Sequence, residues 1–238
     1  TLWKLWGIPA AIISGNAMLK IADLATNKKL KINEKVKLEA SYILSSRYLT
    51  MMEGQFLDIS FEQKTEITID DYLDMIQRKT GALIEASLHI GAIVGQNKSQ
   101  NNFDKINSIK IIGKELGKIF QIRDDMLGIW GNDETGKPVG ADIEKKKKSL
   151  PILHAINYSK GKYKKEINDL FAKKRNLNGK EIKFILKIMD HLKTYKYCEN
   201  LLDKTWNSCT KEITSSSINE KIKSDLIDLG KFLLIRNV

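Results

Sequence analysis

The sequence predicts an all-α protein, a bundle of long helices, and three observations carry that prediction. Only three prolines occur in 238 residues, Pro9, Pro138 and Pro151, and each sits at a helix boundary. Strand-period alternation bounded by turn signals is sustained nowhere. Between positions 71 and 95, Leu73, Ile76, Leu83, Ile84, Leu88 and Ile93 recur at threes, fours and their sums, the spacing of a buried helical stripe.

Taken in order, the first helix is expected over 9–26, opening at Pro9, and the second over 34–57 after a loop at 26–33. A loop at 60–69 leads to a helix over 70–96. Its start is marked by Asp70 and Asp71, acids favoured where free backbone N–H groups and the helix macrodipole meet them. A further loop at 96–102 precedes a helix over 104–130. The segment 131–148 is the only long loop and holds Gly131, Gly136 and Gly140. Pro151 then opens a helix over 149–159, followed by helices over 163–173, 179–206 and 217–235. Several of these exceed twenty residues and are apolar over more than a narrow stripe, which suits a large bundle with a central helix layer. No repeat or low-complexity linker divides the chain, so a single domain over 1–238 is expected.

Composition narrows the class. Hydrophobic residues make up 42% and charged residues 29%, a globular balance with enough length for one substantial core. Two cysteines without a CxxC pair exclude a disulfide scaffold and a structural zinc site, and fit a reducing, cytoplasmic setting. The longest uncharged run, 5–19, is shorter than the roughly 20 residues of a membrane span and lacks a basic leader, so no transmembrane segment is expected. The chain opens on Thr1 and not Met, and the expectation is that the natural N-terminus lies upstream. Lys and Arg number 40 against 29 acids, a net charge of +11. The lysines are interleaved with acids and no RNP, KH or zinc-finger pattern accompanies them, so solvated helix faces are favoured over nucleic-acid binding.

The chemistry concentrates at the end of the 104–130 helix, in Phe120-Gln121-Ile122-Arg123-Asp124-Asp125-Met126-Leu127-Gly128. At 3.6 residues per turn, Gln121, Asp124, Asp125 and Gly128 share one face. A solvated acidic pair near a helix end is the plain alternative. Facing a cavity, adjacent carboxylates are costly without a compensating cation, and hard oxygen donors of this kind suit Mg2+. The glycine-rich loop that follows carries Lys137, and Lys147 comes just before Ser149-Leu150-Pro151. Ammonium groups delivered opposite a metal-binding carboxylate pair are what a diphosphate ligand requires.

This stretch, continued through Gly136-Lys137-Pro138, Gly140, Asp142 and Lys147…Leu150-Pro151, resembles the second aspartate-rich region of the trans-isoprenyl diphosphate synthases. Three earlier pieces agree in order. They are Trp6-Gly7…Gly15-Asn16-Ala17, Gly54-Gln55…Asp58…Phe61-Glu62, and Tyr72…Lys79-Thr80-Gly81-Ala82-Leu83. The likeness runs from the first residues to about Ala155.

The resemblance implies the isoprenoid synthase fold, helices around a central cavity. It implies a magnesium-dependent prenyltransferase that joins isopentenyl diphosphate to an allylic diphosphate, usually as a homodimer whose interface would use the apolar N-terminal helices. Asp124 and Asp125 would hold Mg2+. Lys79, Lys137 and Lys147 would hold the allylic diphosphate, with Thr80 and Gln121 hydrogen bonding near the reacting carbons, Phe120 facing the carbocation, and Gln55 and Asp58 contributing from their helix. A class I terpene cyclase and a non-catalytic partner subunit are the rival readings on the same scaffold. Two departures accompany the likeness: Gly128 replaces the usual third Asp, and the family's first aspartate-rich motif is not in this sequence.

The one literal DDxxD string, Asp70-Asp71-Tyr72-Leu73-Asp74, is expected to be a helix start and not the metal site. His89, His154 and His191 show no ligand spacing, and Trp3, Trp6, Trp130 and Trp206 are expected to pack. No nucleophile elbow, Walker A or dinucleotide fingerprint occurs.

Overall fold

The computed structural model describes residues 1–26, 32–64, 66–95, 103–131 and 138–235. Every regular element among them is helical: α1 (Leu2–Thr26), α2 (Glu34–Phe61), α3 (Ile69–Ile76), a π turn (Gln77–Gly81), α4 (Ala82–Val94), α5 (Phe103–Trp130), α6 (Ala141–Glu144), α7 (Leu150–Tyr158), α8 (Gly161–Phe171), α9 (Gly179–His191), α10 (Thr194–Ser215) and α11 (Glu220–Ile235). The central helix is α5, packed by α3, the π turn, α4, α6, α7, α10 and α11. Its Ile112, Leu116, Ile119, Ile122, Met126 and Ile129 step by threes and fours and are all buried.

Two clusters of apolar side chains meet along α5. The larger joins α3, α5, α7, α10 and α11 through residues such as Tyr72, Leu116, Leu150, Cys198 and Ile213. The second gathers Ile129, Ile143, Ile152, Ile167, Ile185 and Met189 from the end of α5 and from α6 to α9. This division explains why the expected single helix over 179–206 is two. Lys193 adopts the left-handed conformation (φ 54°) between α9 and α10. The turn lets Ile185, Ile188 and Met189 fill one cluster while Cys198, Leu202 and Cys209 fill the other. One straight helix could not serve both.

The expected helix over 70–96 is likewise interrupted, by the π turn. Its apolar stripe is also less buried than the spacing suggests: Ile76 and Ile93 are buried, while Leu73, Ile84 and Leu88 are half-buried against the main cluster. Capping fixes several starts. Asn33 Oδ1 accepts from Lys35 N at 2.8 Å, and Asn178 with Glu181 forms a reciprocal capping box at α9.

The N-terminal helix departs most from expectation. α1 begins before Pro9, bends at Gly7 (φ 83°), packs chiefly against α2 and contributes no buried residue. Trp3 and Trp6 are therefore exposed and not packed, whereas Trp130 and Trp206 lie against the main cluster. Because α1 continues through Lys4 and Lys20, its 25 residues are long and apolar enough, by length and composition, to cross a membrane. That differs from the shorter uncharged run in the sequence.

Candidate active site

Five segments, from α2, α3, the π turn, the C-terminal half of α5 and the approach to α7, converge on a small hollow. Lys79, Gln121, Asp125, Lys147, Asp58 and Ser149 line it. The π turn places two consecutive side chains against opposite neighbours. Lys79 Nζ donates to Asp58 of α2, and Thr80 Oγ1 donates to Gln121 Oε1 of α5 at 2.8 Å. Glycines permit this. A Cβ at Gly54 would collide with the Lys79 backbone, and one at Gly117 would stand 2.5 Å from Gly81 Cα. The three elements therefore meet backbone to backbone.

Asp125 is the hub. Its side chain is 1% exposed, and its two oxygens accept four hydrogen bonds. Oδ1 accepts from Gln121 Nε2 at 2.9 Å and Lys147 Nζ at 3.1 Å; Oδ2 accepts from the Tyr72 hydroxyl at 2.6 Å and Leu150 N at 3.0 Å. A carboxylate offers about four lone-pair sites, so Asp125 is filled by the fold itself. Burial alone would lower the Lys147 pKa, but the charges of Asp125 and Asp142 reverse this and raise it, keeping the ammonium charged. The Tyr72 hydroxyl is pushed well above its ordinary value by burial and then by Asp125, so it stays a donor.

The remaining expected residues divide. Asp124 is half-buried next to the hollow, near enough for its charge to act on both Lys147 and Tyr72. Phe120 packs against the main apolar cluster, and neither it nor Gln55 is among the side chains lining the hollow. Lys137 lies outside the described residues. The Asp70–Asp74 string is a helix start. Thr68 and Asp71 form a capping box, with Asp71 N to Thr68 Oγ1 at 3.0 Å and Thr68 N to Asp71 Oδ2 at 2.9 Å, and Asp74 pairs with Arg78 at 2.9 Å.

Three residues had no assigned role in the sequence. Tyr72, met in the sequence only within the motifs, is a buried hydroxyl donor to Asp125. Ser149, expected inside the helix over 149–159, is the N-cap of α7 and lines the hollow. Asp142 lies 3.4 Å from Lys147, and its carboxylate abuts Gly128 so closely that a Cβ there would collide with it. Gly128 thus leaves room for the Asp142 carboxylate.

Among the described residues no group of three or more His, Cys, Asp or Glu side chains forms a metal site. The donor set still fits a hard divalent ion held through one carboxylate, with water and phosphate oxygens filling the other positions. Asp124 can supply that carboxylate. Asp125, the other expected ligand, accepts hydrogen bonds from four protein donors.

Known proteins resemble this chain in sequence and in fold. The model of the polyprenyl synthetase family matches residues 1–189. A short chain isoprenyl diphosphate synthase of Methanocaldococcus jannaschii is 36% identical over 190 residues, covering 79% of this chain and 56% of that protein. The chain thus spans about half the length of the curated relatives it matches. Geranylgeranyl pyrophosphate synthetase from Pyrococcus horikoshii superposes with a TM-score of 0.88 at 28% identity, over 99% of this chain and 70% of the other. A geranylgeranyl pyrophosphate synthase from Corynebacterium glutamicum, complexed with isoprenyl diphosphate and magnesium, shares the fold at a TM-score of 0.83 and 21% identity, over 97% and 64% of the two chains.

Proposed function

Because the chain belongs to the polyprenyl synthetase family, we propose that its hollow binds the diphosphate of an allylic substrate and that the protein is a prenyltransferase, lengthening that substrate with isopentenyl diphosphate. The observation that carries this reading is the convergence of Lys79, Gln121, Asp125 and Lys147 on one space from positions 79 to 147 of the chain. The ammonium groups of Lys79 and Lys147 and an amide donor beside one hollow suit an anion rich in oxygen.

In the proposed reaction the bond between the allylic carbon and the diphosphate oxygen breaks first. The electron pair leaves with the diphosphate, whose growing charge Lys79 and Lys147 meet from fixed positions. Asp58 and Asp125 hold those lysines in place, so little rearrangement accompanies the charge. Gln121, oriented by Thr80 on one side and Asp125 on the other, presents its amide beside the reacting carbons. Phe120, the neighbour of Gln121 on α5, is the candidate aromatic face for the cation. The double bond of isopentenyl diphosphate then attacks, and loss of a proton completes a product five carbons longer. Magnesium, held through Asp124, would supply further positive charge at the phosphates.

The exposed apolar residues of α1 and α2, among them Leu5, Ile13, Met18, Leu38, Tyr42 and Phe56, support a homodimer built on these helices. The free, buried Cys198 and Cys209 support a reducing cytoplasmic setting.

The test is turnover of an allylic diphosphate with and without isopentenyl diphosphate, using the full-length protein. Elongated product that forms only with both substrates is expected. Asp124→Ala should lower turnover at least about a hundredfold, the scale of one lost element of charge stabilisation, while Asp70→Ala leaves it within about twofold. Cyclic hydrocarbon from the allylic substrate alone, or equal losses in both variants, would overturn the reading.

A further inference from the structure

Ser149 lines the hollow, and its buried hydroxyl pairs with no group among the described residues. Ser149 is the N-cap of α7, is 1% exposed, and lines the same space as Lys79, Gln121 and Lys147. An N-cap serine ordinarily accepts a hydrogen bond from the second or third helical N–H. Here it makes no such bond. The local sequence contributes to that: Pro151, the second helical residue, has no N–H, and Leu150 gives its own N–H to Asp125 Oδ2 at 3.0 Å. Among the described residues the Ser149 Oγ has no hydrogen-bond partner at all. Folded proteins seldom leave a buried hydroxyl in that condition.

The surroundings select what completes it. The hydroxyl sits at the positive end of a nine-residue helix, beside the Lys147 ammonium, with Lys79 lining the same hollow. Asp125, the one buried carboxylate in the lining, is already matched by Lys147 and three other donors. An incoming anion with several acceptor oxygens satisfies the hydroxyl and both ammonium groups together.

We infer that Ser149 Oγ donates a hydrogen bond to a phosphate oxygen of the bound diphosphate, next to Lys147. This rests on the proposed function, since it takes the hollow to be a diphosphate site. The competing occupant is a structural water, which would serve the hydroxyl whether or not ligand is present.

Two measurements on the full-length protein separate these. The first is calorimetric titration of inorganic diphosphate with Mg2+ into the wild type, Ser149→Ala and Ser149→Thr. The second is the melting temperature of each without ligand. Loss of one charge-assisted hydrogen bond should weaken diphosphate binding by Ser149→Ala about tenfold, and Ser149→Thr, which keeps the hydroxyl, should bind within about threefold of wild type. The ligand-free Ser149→Ala protein should melt no lower than wild type, because it loses a hydroxyl that had no partner. Wild-type affinity in Ser149→Ala would overturn the inference alone. So would a ligand-free melting temperature lowered by several degrees, or failure of that variant to fold, because either places the hydroxyl in the fold's own bonding; Ser149→Cys, nearly isosteric but a weak donor, repeats the test in a gentler form. Absence of diphosphate binding by the wild type would overturn the reading of the hollow itself, and this inference with it.

Discussion

At the scale of single residues, two acidic strings in this chain serve opposite ends. Asp71 closes a capping box at an exposed helix start, while Asp125 collects four donors in the interior. The contrast was half legible in the sequence. A helix start at Asp70 and Asp71 announces itself through its first-turn acids, a local signal, although the cap itself is Thr68. The donors that meet Asp125 include Tyr72, Lys147 and the Leu150 N–H, which come to it only through the tertiary fold and so could not be read from the sequence. His154 offers a test at this scale. It stacks between Tyr158 and Tyr197, at 4.6 and 4.1 Å between ring centroids, and its Nδ1 lies 3.0 Å from Thr194 Oγ1. Burial pushes its pKa below the ordinary histidine value. The unfolded chain therefore takes up a proton first as pH falls, so this contribution is fully present above about pH 6.5 and is lost below it. Thermal unfolding of the wild type should show stability declining from pH 7 to pH 5. His154→Phe should decline less steeply, while starting about 1 kcal/mol lower at pH 7.5 because Thr194 loses its partner.

At the scale of elements, the junction between α2, the π turn and α5 depends on what is missing from its glycines. Gly54→Ala places a methyl against the Lys79 backbone and should cost about 1–3 kcal/mol, read from chemical denaturation, and weaken diphosphate binding as Lys79 shifts. Gly91→Ala, on an exposed face of α4 with nothing within 4 Å of its new methyl, should instead stabilise by about 0.5–1 kcal/mol. Helix existence was readable throughout from apolar spacing. The interruptions were not. A π turn adds one residue to a turn without disturbing the stripe enough to be noticed, and the left-handed Lys193 has no glycine or proline to signal it. Both follow from demands made by neighbouring helices.

At the scale of the molecule, the all-α class follows from composition and periodicity, and the family follows from ordered motifs. The exposure of α1 was not readable from its pattern, because an apolar helix reads alike whether it packs on its own chain or on another; only the resemblance, which puts an interface on the N-terminal helices, pointed to it. Together α1 and α2 present two apolar helices about 40 Å long, a footprint adequate for a stable interface. Sedimentation of the full-length protein should give twice the chain mass. Ile13→Glu or Phe56→Glu should shift it toward a single chain without loss of helical circular dichroism, since both side chains are already exposed within one copy.

The four-donor setting of Asp125 also has a bearing on synthesis at the ribosome. A nascent chain that has emerged only to residue 146 has α3 and α5 complete, yet lacks both Lys147 and the Leu150 N–H. Its Asp125 would carry an unmatched negative charge on the side of α5 destined for the interior. Seating of α3 against α5 should therefore wait for α7 to follow from the exit tunnel, making a short late segment the gatekeeper of an early-made core.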